Sequence, residues 1–233
     1  MKLLVWNIRQ GGGPRQERIA TSIAAHDADL IALIEFVPST ALPLLARLRE
    51  AGLEHQTCAE KNGHDHTICV LSKAPITARQ SESSLLNGCG LWLEVCVPDR
   101  GFSAGIVHVP TKGNQKRHYC DALVDVAERR CRDPFVFAGD FNTGRHPEDG
   151  DLQSLGCVDR FESMQNAGFR DAWRHFHGDR KESTFAVKGK EYRIDHALAS
   201  AGLIPRLTAC RYSHEERSAG ESDHSVLLFE IED

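Results

Sequence analysis

The stretch "PFVFAGDFN" (134–142) is an apolar run that ends on an acid and an amide, Asp140 and Asn142. Side chains two residues apart in an extended segment point the same way, so this pair shares one side of the strand. A carboxylate and a carboxamide at a strand end can bind a metal, hold a water or close a turn. The stretch therefore predicts a buried strand, and the other strand ends decide between a turn and a functional site.

Similar apolar runs recur along the chain and predict further strands. With the first stretch, they span 2–8, 29–36, 67–72, 91–98, 102–110, 134–141, 191–199 and 224–231. Amphipathic patterns predict helices at 15–27, 40–52 and 118–130, and one or two short helices within 158–176, interrupted at Gly168. Continuous apolar runs such as "LIALI" (30–34) indicate strands covered on both faces. The pattern predicts an α+β fold in which two sheets pack together with helices outside.

Composition places the chain among ordinary globular proteins. It has 233 residues, of which 41% are hydrophobic and 26% charged, with no internal repeat or linker-like tract, so we expect a single domain over 1–233. The net charge of −5 argues against a general electrostatic attraction to nucleic acid but is compatible with a local basic patch. No apolar stretch is long enough for a membrane span or a signal peptide, so we expect a monomeric cytoplasmic protein.

The cysteines point away from one class of metal site. The chain has eight, and none lies in a CxxC or CxxxC spacing, so no zinc or iron–sulfur motif is present. Several lie within strand-like runs, for example Cys69 in "TICVLS" and Cys96 in "LEVCVP". These are typical of small hydrophobic core residues.

Polar residues recur inside or beside the apolar runs. They are Asn7, Glu35, His108, Asp140, Asn142, Asp195, Asp223 and His224. Burying one neutral polar group without a partner costs about 2 to 7 kcal/mol, and an ion costs more. Each residue alone could equally be a cap, a turn or a paired core residue, but the whole set predicts that they meet each other or a cation. The oxygen donors among them suit Mg²⁺, with Mn²⁺ as the alternative.

A histidine that acts near neutral pH needs a partner that fixes its tautomer and stabilises its protonated form. Asp195 is the candidate partner of His224. His196 follows Asp195 directly and would point to the opposite face of the strand, so we expect a structural role for it.

Six motifs in order resemble the endonuclease/exonuclease/phosphatase superfamily, the group of deoxyribonuclease I and the exonuclease III type apurinic endonucleases. They are "WNI" (6–8), "IALIE" (31–35), "IVHVP" (106–110), "GDFN" (139–142), "RIDHAL" (193–198) and "SDHSVL" (222–227). The resemblance covers nearly the whole chain. It implies a four-layered αββα sandwich, DNase I-like, with two mixed sheets face to face and a Mg²⁺ site at one edge.

The resemblance also implies a role for each matching residue. The Mg²⁺ ligands would be Asn7, Glu35 and Asp223, together with Asp140 and Asn142. The chain contains no nucleophilic Ser or Cys motif, which agrees with direct attack by water.

In the same resemblance, Asp140 would orient or deprotonate the attacking water. Asn142 and His108 would stabilise charge on the phosphoryl oxygens. Asp195 would orient His224, which would act as general base or as an acid that contacts the phosphate. Hydrolysis of a phosphate ester needs positive charge at the non-bridging oxygens and an activated water, and these groups supply both.

The sequence leaves several classes of substrate open. His108 replaces the Tyr of the exonuclease III type and favours other phosphodiesterases, whereas 167–185 resembles apurinic endonucleases, with Phe185 in place of the usual Trp. We expect a phosphodiester hydrolase acting on nucleic acid, most plausibly a DNA endonuclease or exonuclease. The alternatives are a phosphatase of phosphorylated small molecules such as inositol phosphates, a sphingomyelinase-type phospholipid esterase, or a non-catalytic binding domain.

Two loops gather basic residues near the predicted site. Arg9, Lys112, Lys116 and Arg117 are candidates for contacts with substrate phosphates. A solvated basic surface explains the same residues equally well.

Overall fold

The computed structural model describes residues 1–60 and 65–232. The helices are α1 (Gln16–His26), α2 (Leu42–Glu50), α3 (Gly113–Arg130), α4 (Val158–Asn166), α5 (Ala172–His177) and α6 (Glu215–Ser218). The strands are β1 (Lys2–Asn7), β2 (Leu30–Phe36), β3 (His55–Cys58), β4 (Thr67–Ser72), β5 (Thr77–Arg79), β6 (Trp92–Val97), β7 (Phe102–His108), β8 (Phe135–Asp140), β9 (Arg170–Asp171), β10 (Phe185–Val187), β11 (Lys190–Tyr192), β12 (Asp195–Ala199), β13 (Leu207–Ser213) and β14 (Val226–Ile231).

The strands form two six-stranded sheets and one hairpin. The first sheet has the order β13-β14-β1-β2-β4-β3, and the second has the order β5-β6-β7-β8-β12-β9. Both are mixed, because β1 pairs in parallel with β2 and β7 in parallel with β8, while their other pairings are antiparallel. The hairpin joins β10 to β11.

Alternation along each strand builds the layers. In β8, Val136 and Ala138 join the apolar layer between the sheets, while Phe135 and Phe137 pack on the other face with α3 and α4. In the first sheet, residues such as Leu4 pack outward against α1 and α2. The order of layers is therefore helix, sheet, sheet, helix, and the predicted α+β αββα sandwich is confirmed.

One predicted strand is wrong in its extent. The segment predicted as a strand at 191–199 divides, because β11 pairs with β10 while β12 pairs with β8. Arg193 lies in the gap, and its guanidinium is fully buried between the carboxylates of Asp149 and Asp171. A buried charge needs opposite charges around it, and this requirement takes the segment out of regular pairing.

None of the helices within 1–60 and 65–232 combines the length and apolar character that a membrane crossing requires.

Candidate active site

The polar residues meet at the edge of the apolar layer between the sheets because they continue the inward-facing positions of their strands. Asp140 continues the series Val136 and Ala138, and Asp195 shares its side with Ala197. Asn7 likewise follows Val5 in β1, and His108 follows Ile106 in β7. Where the apolar layer stops, the next inward-facing residue is polar. This explains why the terminal residues of four strands lie close together.

Glu35 reaches the cleft by a different route. Simple alternation would send it outward with Leu33, but the pairing of β2 with β4 is irregular between Leu33 and Phe36, and Glu35 has a φ of 58°. Such backbone is uncommon for a residue with a side chain and is characteristic of functional sites. The amide of Gln10 donates to Glu35 Oε2 at 2.8 Å, and that of Gly11 donates to the Glu35 carbonyl at 2.7 Å.

One oxygen, Asp140 Oδ2, lies at the centre of the site. Asn7 Nδ2 donates to it at 3.1 Å and to Glu35 Oε1 at 3.2 Å. His108 Nε2 lies 3.9 Å from both of these oxygens, and His224 Nε2 lies 3.8 Å from Asp140 Oδ2. The other oxygen, Oδ1, accepts from the backbone amide of Asn142 at 2.9 Å. The carboxylate is therefore fixed in orientation, with histidines facing one of its oxygens.

Asp195 and His224 form the predicted pair. His224 Nδ1 donates to the Asp195 carboxylate at 3.0 Å, and both residues are buried. The ring of Phe185 packs against the imidazole with centroids 4.8 Å apart. Trp6 Nε1 donates to the His224 carbonyl at 3.0 Å, so side chain and backbone are both held.

Two opposing effects set the pKa values in the site. Burial disfavours the charged form of each group, whereas neighbouring groups of opposite charge favour it. Burial acts to raise the pKa of Glu35, but the Gln10 amide and the His108 imidazole outweigh it, and the pKa lies below its usual value. Burial raises the pKa of Asp140 despite the opposing effect of His224. Burial acts to lower the pKa of His224, but the carboxylates of Asp195 and Asp140 raise it to about 10. These carboxylates therefore favour the protonated form of the imidazole.

The donor set fits a hard divalent cation. Among the described residues, Asp140, Asp195 and His224 offer ligand atoms that all lie within 4.8 Å of one another. Glu35 adds a further carboxylate, which Asn7 bridges to Asp140. Buried carboxylates concentrated in this way are stabilised by positive charge, and oxygen donors suit Mg²⁺ or Mn²⁺ better than soft metals.

Two predicted metal ligands, Asp223 and Asn7, make other contacts in the structure. Asp223 is partly exposed, with its Oδ2 3.7 Å from Arg9 Nε. Asn7 presents its amide nitrogen to the carboxylates, while its oxygen accepts from the backbone amide of Arg9 at 3.0 Å. As placed, Asn7 links Glu35 to Asp140, and Asp223 lies at the rim of the site beside Arg9.

Asn142 stabilises the loop that follows β8. It has a φ of 48°, and its Nδ2 donates to the Val109 carbonyl at 2.8 Å. An amide nitrogen carries two hydrogens, so one remains for another acceptor. The structure thus places Asn142 in the loop directly after β8, bonded to the residue that follows β7.

The predicted phosphate contacts separate into two groups. Lys116 is only 3% exposed, and its ammonium donates to the carbonyls of Asn142 at 2.8 Å and Leu155 at 2.6 Å. This corrects the prediction of a substrate contact for Lys116, because its side chain is buried and two of its three N–H donors are bonded to backbone carbonyls. Lys112 and Arg117 are exposed at the start of α3.

Sequence reasoning missed a buried ionic cluster behind the site. Arg193 bonds to Asp149 and Asp171, and His196 Nδ1 lies 3.1 Å from Asp171 Oδ2. Arg193 also donates to the Tyr212 hydroxyl, which donates to the Asp195 carbonyl at 2.6 Å. The "RID" motif was the available signal, since an Arg beside a buried strand needs acidic partners. The structural role predicted for His196 agrees with its complete burial.

A layered αββα fold with acids and histidines gathered at the mouth between its sheets is the architecture of DNase I-like hydrolases of phosphoric esters. The chain belongs to the Endonuclease/Exonuclease/phosphatase family, because the model of that family matches residues 4–224. It is accordingly an enzyme of a class that generally depends on divalent metals. No curated protein matches the sequence significantly.

Solved structures with the same fold include two kinds of DNA enzyme. An AP endonuclease from Archaeoglobus fulgidus superposes with a TM-score of 0.85 at 18% identity. The 3' phosphatase NExo from Neisseria, bound to a product DNA hairpin, gives 0.81 at 19%, and the 3'-5' exonuclease NExo from Neisseria meningitidis gives 0.80 at 19%. Each alignment covers 100% of both chains. At this identity the likeness concerns the fold.

Proposed function

We propose that the protein is a Mg²⁺-dependent phosphodiester hydrolase that acts on DNA. The observation that carries the proposal is Asp140 Oδ2, which lies within 4 Å of Asn7, His108 and His224 at the edge of the layer between the sheets. A negatively charged phosphate needs cationic partners beside a group that handles water, and this arrangement offers both. The structural neighbours named as DNA enzymes support DNA as the substrate.

In this proposal, Glu35 and Asp140 would hold the divalent ion, with Asn7, Asn142 and Asp223 around them. When bound, the ion supplies a Lewis acid for a phosphoryl oxygen. His108 Nε2 and His224 Nε2 both face Asp140 Oδ2. Asp140 is therefore the carboxylate placed to orient the attacking water and to receive its proton.

The histidines act on the phosphate. Since its carboxylate neighbours raise the pKa of His224 to about 10 against the effect of burial, it serves as a protonated contact to the phosphoryl group and not as the base. Asp195 fixes the ring through Nδ1, which leaves Nε2 facing the cleft. His108 and the free hydrogen of Asn142 Nδ2 stabilise charge on the remaining oxygens.

Substrate tests separate DNA from the alternatives. Purified protein with Mg²⁺ should hydrolyse plasmid DNA, abasic duplexes or 3'-phosphate termini, and should leave inositol phosphates and sphingomyelin intact. The opposite preference would favour a small-molecule or lipid phosphoesterase, for which His108 was the sequence signal. A chelator should abolish turnover, and Mg²⁺ or Mn²⁺ should restore it.

Variants test the site itself. Glu35→Ala and His224→Ala should abolish turnover while the melting temperature shows a folded protein. Glu54→Ala and His118→Ala, both at exposed positions, are matched controls that should retain wild-type rates. Wild-type turnover in Glu35→Ala would contradict the proposed site. The single domain over 1–233, the monomeric state and the cytoplasmic location stay predictions, and size-exclusion chromatography tests the second of them.

A further inference from the structure

Two cysteines face each other across the hairpin formed by β3 and β4. Cys58 is paired directly with Cys69 in the antiparallel register. The neighbouring amide of Ala59 donates to the Ile68 carbonyl at 2.9 Å, which makes Ala59 and Ile68 a hydrogen-bonded pair. Pairs alternate along an antiparallel ladder, so Cys58 and Cys69 form a non-hydrogen-bonded pair, with Cα atoms about 4.5 Å apart and side chains on one face.

This geometry suits a disulfide. Disulfides span Cα separations of about 4.4 to 6.8 Å, and the register pairs Cys58 directly with Cys69. Both cysteines are free thiols in the structure. We propose that Cys58 and Cys69 form a reversible cross-strand disulfide when the protein meets a hydroperoxide.

The two thiols differ in a way that assigns their roles. The hydrogen bond from the Cys69 thiol, helped by Gln56 Nε2 at 3.7 Å and opposed by burial, lowers the pKa of Cys58 to about 7. The hydrogen bond to Cys58 and burial raise the pKa of Cys69 well above its usual value. Cys58 is half-buried on an edge strand, whereas Cys69 is fully buried. Thiolate character and access together make Cys58 the attacking sulfur.

The chemistry takes two steps. The Cys58 thiolate attacks the O–O bond of the hydroperoxide, which gives a sulfenic acid on Cys58 and releases an alcohol that carries the proton lost from the thiol. The Cys69 sulfur then attacks the sulfenic sulfur, the S–S bond forms, and the hydroxyl leaves as water with the Cys69 proton. Two thiols are oxidised, and one hydroperoxide is reduced.

The disulfide would lie close to the catalytic strand. Cys69 is also paired with Leu33 of β2, the last regular pair before the irregularity that turns Glu35 into the cleft. The bond would fix the edge hairpin to the strand beside that irregularity. The proposal does not depend on the substrate or on the metal, because it concerns the sheet and not the site.

Mass spectrometry of the full chain tests the disulfide. Reduced protein is treated with one equivalent of hydrogen peroxide, free thiols are blocked with N-ethylmaleimide, and the protein is digested with trypsin, which cleaves after Lys61 between the two cysteines. We expect loss of two reactive thiols, a Cys58–Cys69 linked peptide pair, and recovery of both peptides after dithiothreitol.

Variants and a second thiol pair make the test sharp. Cys58→Ser should abolish the linked pair, and Cys131→Ser, which alters a half-buried thiol elsewhere, should leave it unchanged. Cys120 and Cys157 are also neighbouring thiols, so they provide an internal comparison. A link confined to Cys120 and Cys157, or Cys58 recovered as a free thiol or as sulfinic acid without a link to Cys69, would overturn the proposal.

Discussion

His224 Nδ1 lies 3.0 Å from Oδ2 and 3.1 Å from Oδ1 of Asp195, so one imidazole N–H faces both oxygens of the carboxylate. The arrangement fixes the plane of the ring and favours its protonated form. It also directs Nε2 toward Asp140. Two acids thus hold one histidine between them, and its charge depends on both.

Replacing Asp195 with Asn should lower turnover by about 10²- to 10⁴-fold, the usual contribution of a positioned acid–base group. The pKa of His224 should fall below about 10, because one of the carboxylates that raise it against the effect of burial is lost. The alkaline limb of the rate profile should move to lower pH in parallel. NMR titration of the imidazole and the pH dependence of kcat check both changes. An unchanged alkaline limb would show that His224 does not act in its protonated form.

The buried ionic cluster should make the fold sensitive to acid. Burial acts to raise the pKa of Asp171, but Arg193 and His196 lower it far below the value of about 3.9 in an unfolded chain. A carboxyl group with a lowered folded pKa stabilises the protein above its unfolded pKa, and this stability is lost as the pH falls below about 4. Asp171→Asn should cost about 3 to 5 kcal/mol at neutral pH, because it leaves Arg193 incompletely paired.

Urea unfolding at several pH values between neutrality and about pH 2 checks this prediction. The loss of free energy of unfolding with acid should be smaller in Asp171→Asn than in the wild type. Asp125→Asn, at an exposed position of α3, is the matched control and should follow the wild type. Parallel pH curves for wild type and Asp171→Asn would contradict the assignment.

Gly139 lets β7 and β8 approach each other directly before Asp140. It has a φ of +146°, and a Cβ there would lie 2.1 Å from the Val107 carbonyl oxygen. Gly139→Ala should therefore cost about 3 kcal/mol or more from strain and overpacking. Turnover should also fall, because His108 and Asp140 are register partners. Gly52→Ala, with a φ of +87° and open space around it, should cost only about 1 to 2 kcal/mol. Equal melting temperatures for the two variants would refute this account.

The basic residues near the site should differ in what their loss affects: stability for Lys116, and DNA binding for Lys112 and Arg117. Lys116→Met removes an ammonium that holds the Asn142 and Leu155 carbonyls, so stability should fall by about 1 to 3 kcal/mol per unpaired buried group. Lys112→Met and Arg117→Met alter exposed charges and should instead raise KM for DNA and reduce its salt dependence. Melting curves and KM at several salt concentrations distinguish the two outcomes. An unchanged salt dependence in both exposed variants would exclude them as phosphate contacts.

Much of the fold was predictable because the alternation of apolar and polar residues within each strand is a local property of the sequence. In the run that ends at Asp140, alternate apolar residues belong to the two layers on either side of the sheet, and Asp140 continues the inner layer. His108 and Asp195 continue the inward-facing positions of their own strands in the same way. Residues that follow this rule could be assigned to one site from the sequence.

Features set by long-range contacts could not be predicted in the same way. Glu35 leaves the alternation of its strand, and its carbonyl and its carboxylate accept hydrogen bonds from the backbone amides of Gly11 and Gln10, which are distant in sequence. Lysine is a residue type usually found on the surface, but Lys116 is buried by partners distant in sequence. The carbonyls that it contacts lie 26 and 39 positions away. Short polar strands such as β3 carry too little apolar pattern to be recognised.

The pairing of the first strand with the last has a consequence for synthesis. β1 lies between β14 and β2, and the Ser222 hydroxyl donates to the Asn7 carbonyl at 2.6 Å. A nascent chain still inside the ribosome exit tunnel lacks β14 and His224. The site therefore becomes complete only after β14 has left the tunnel and paired with β1.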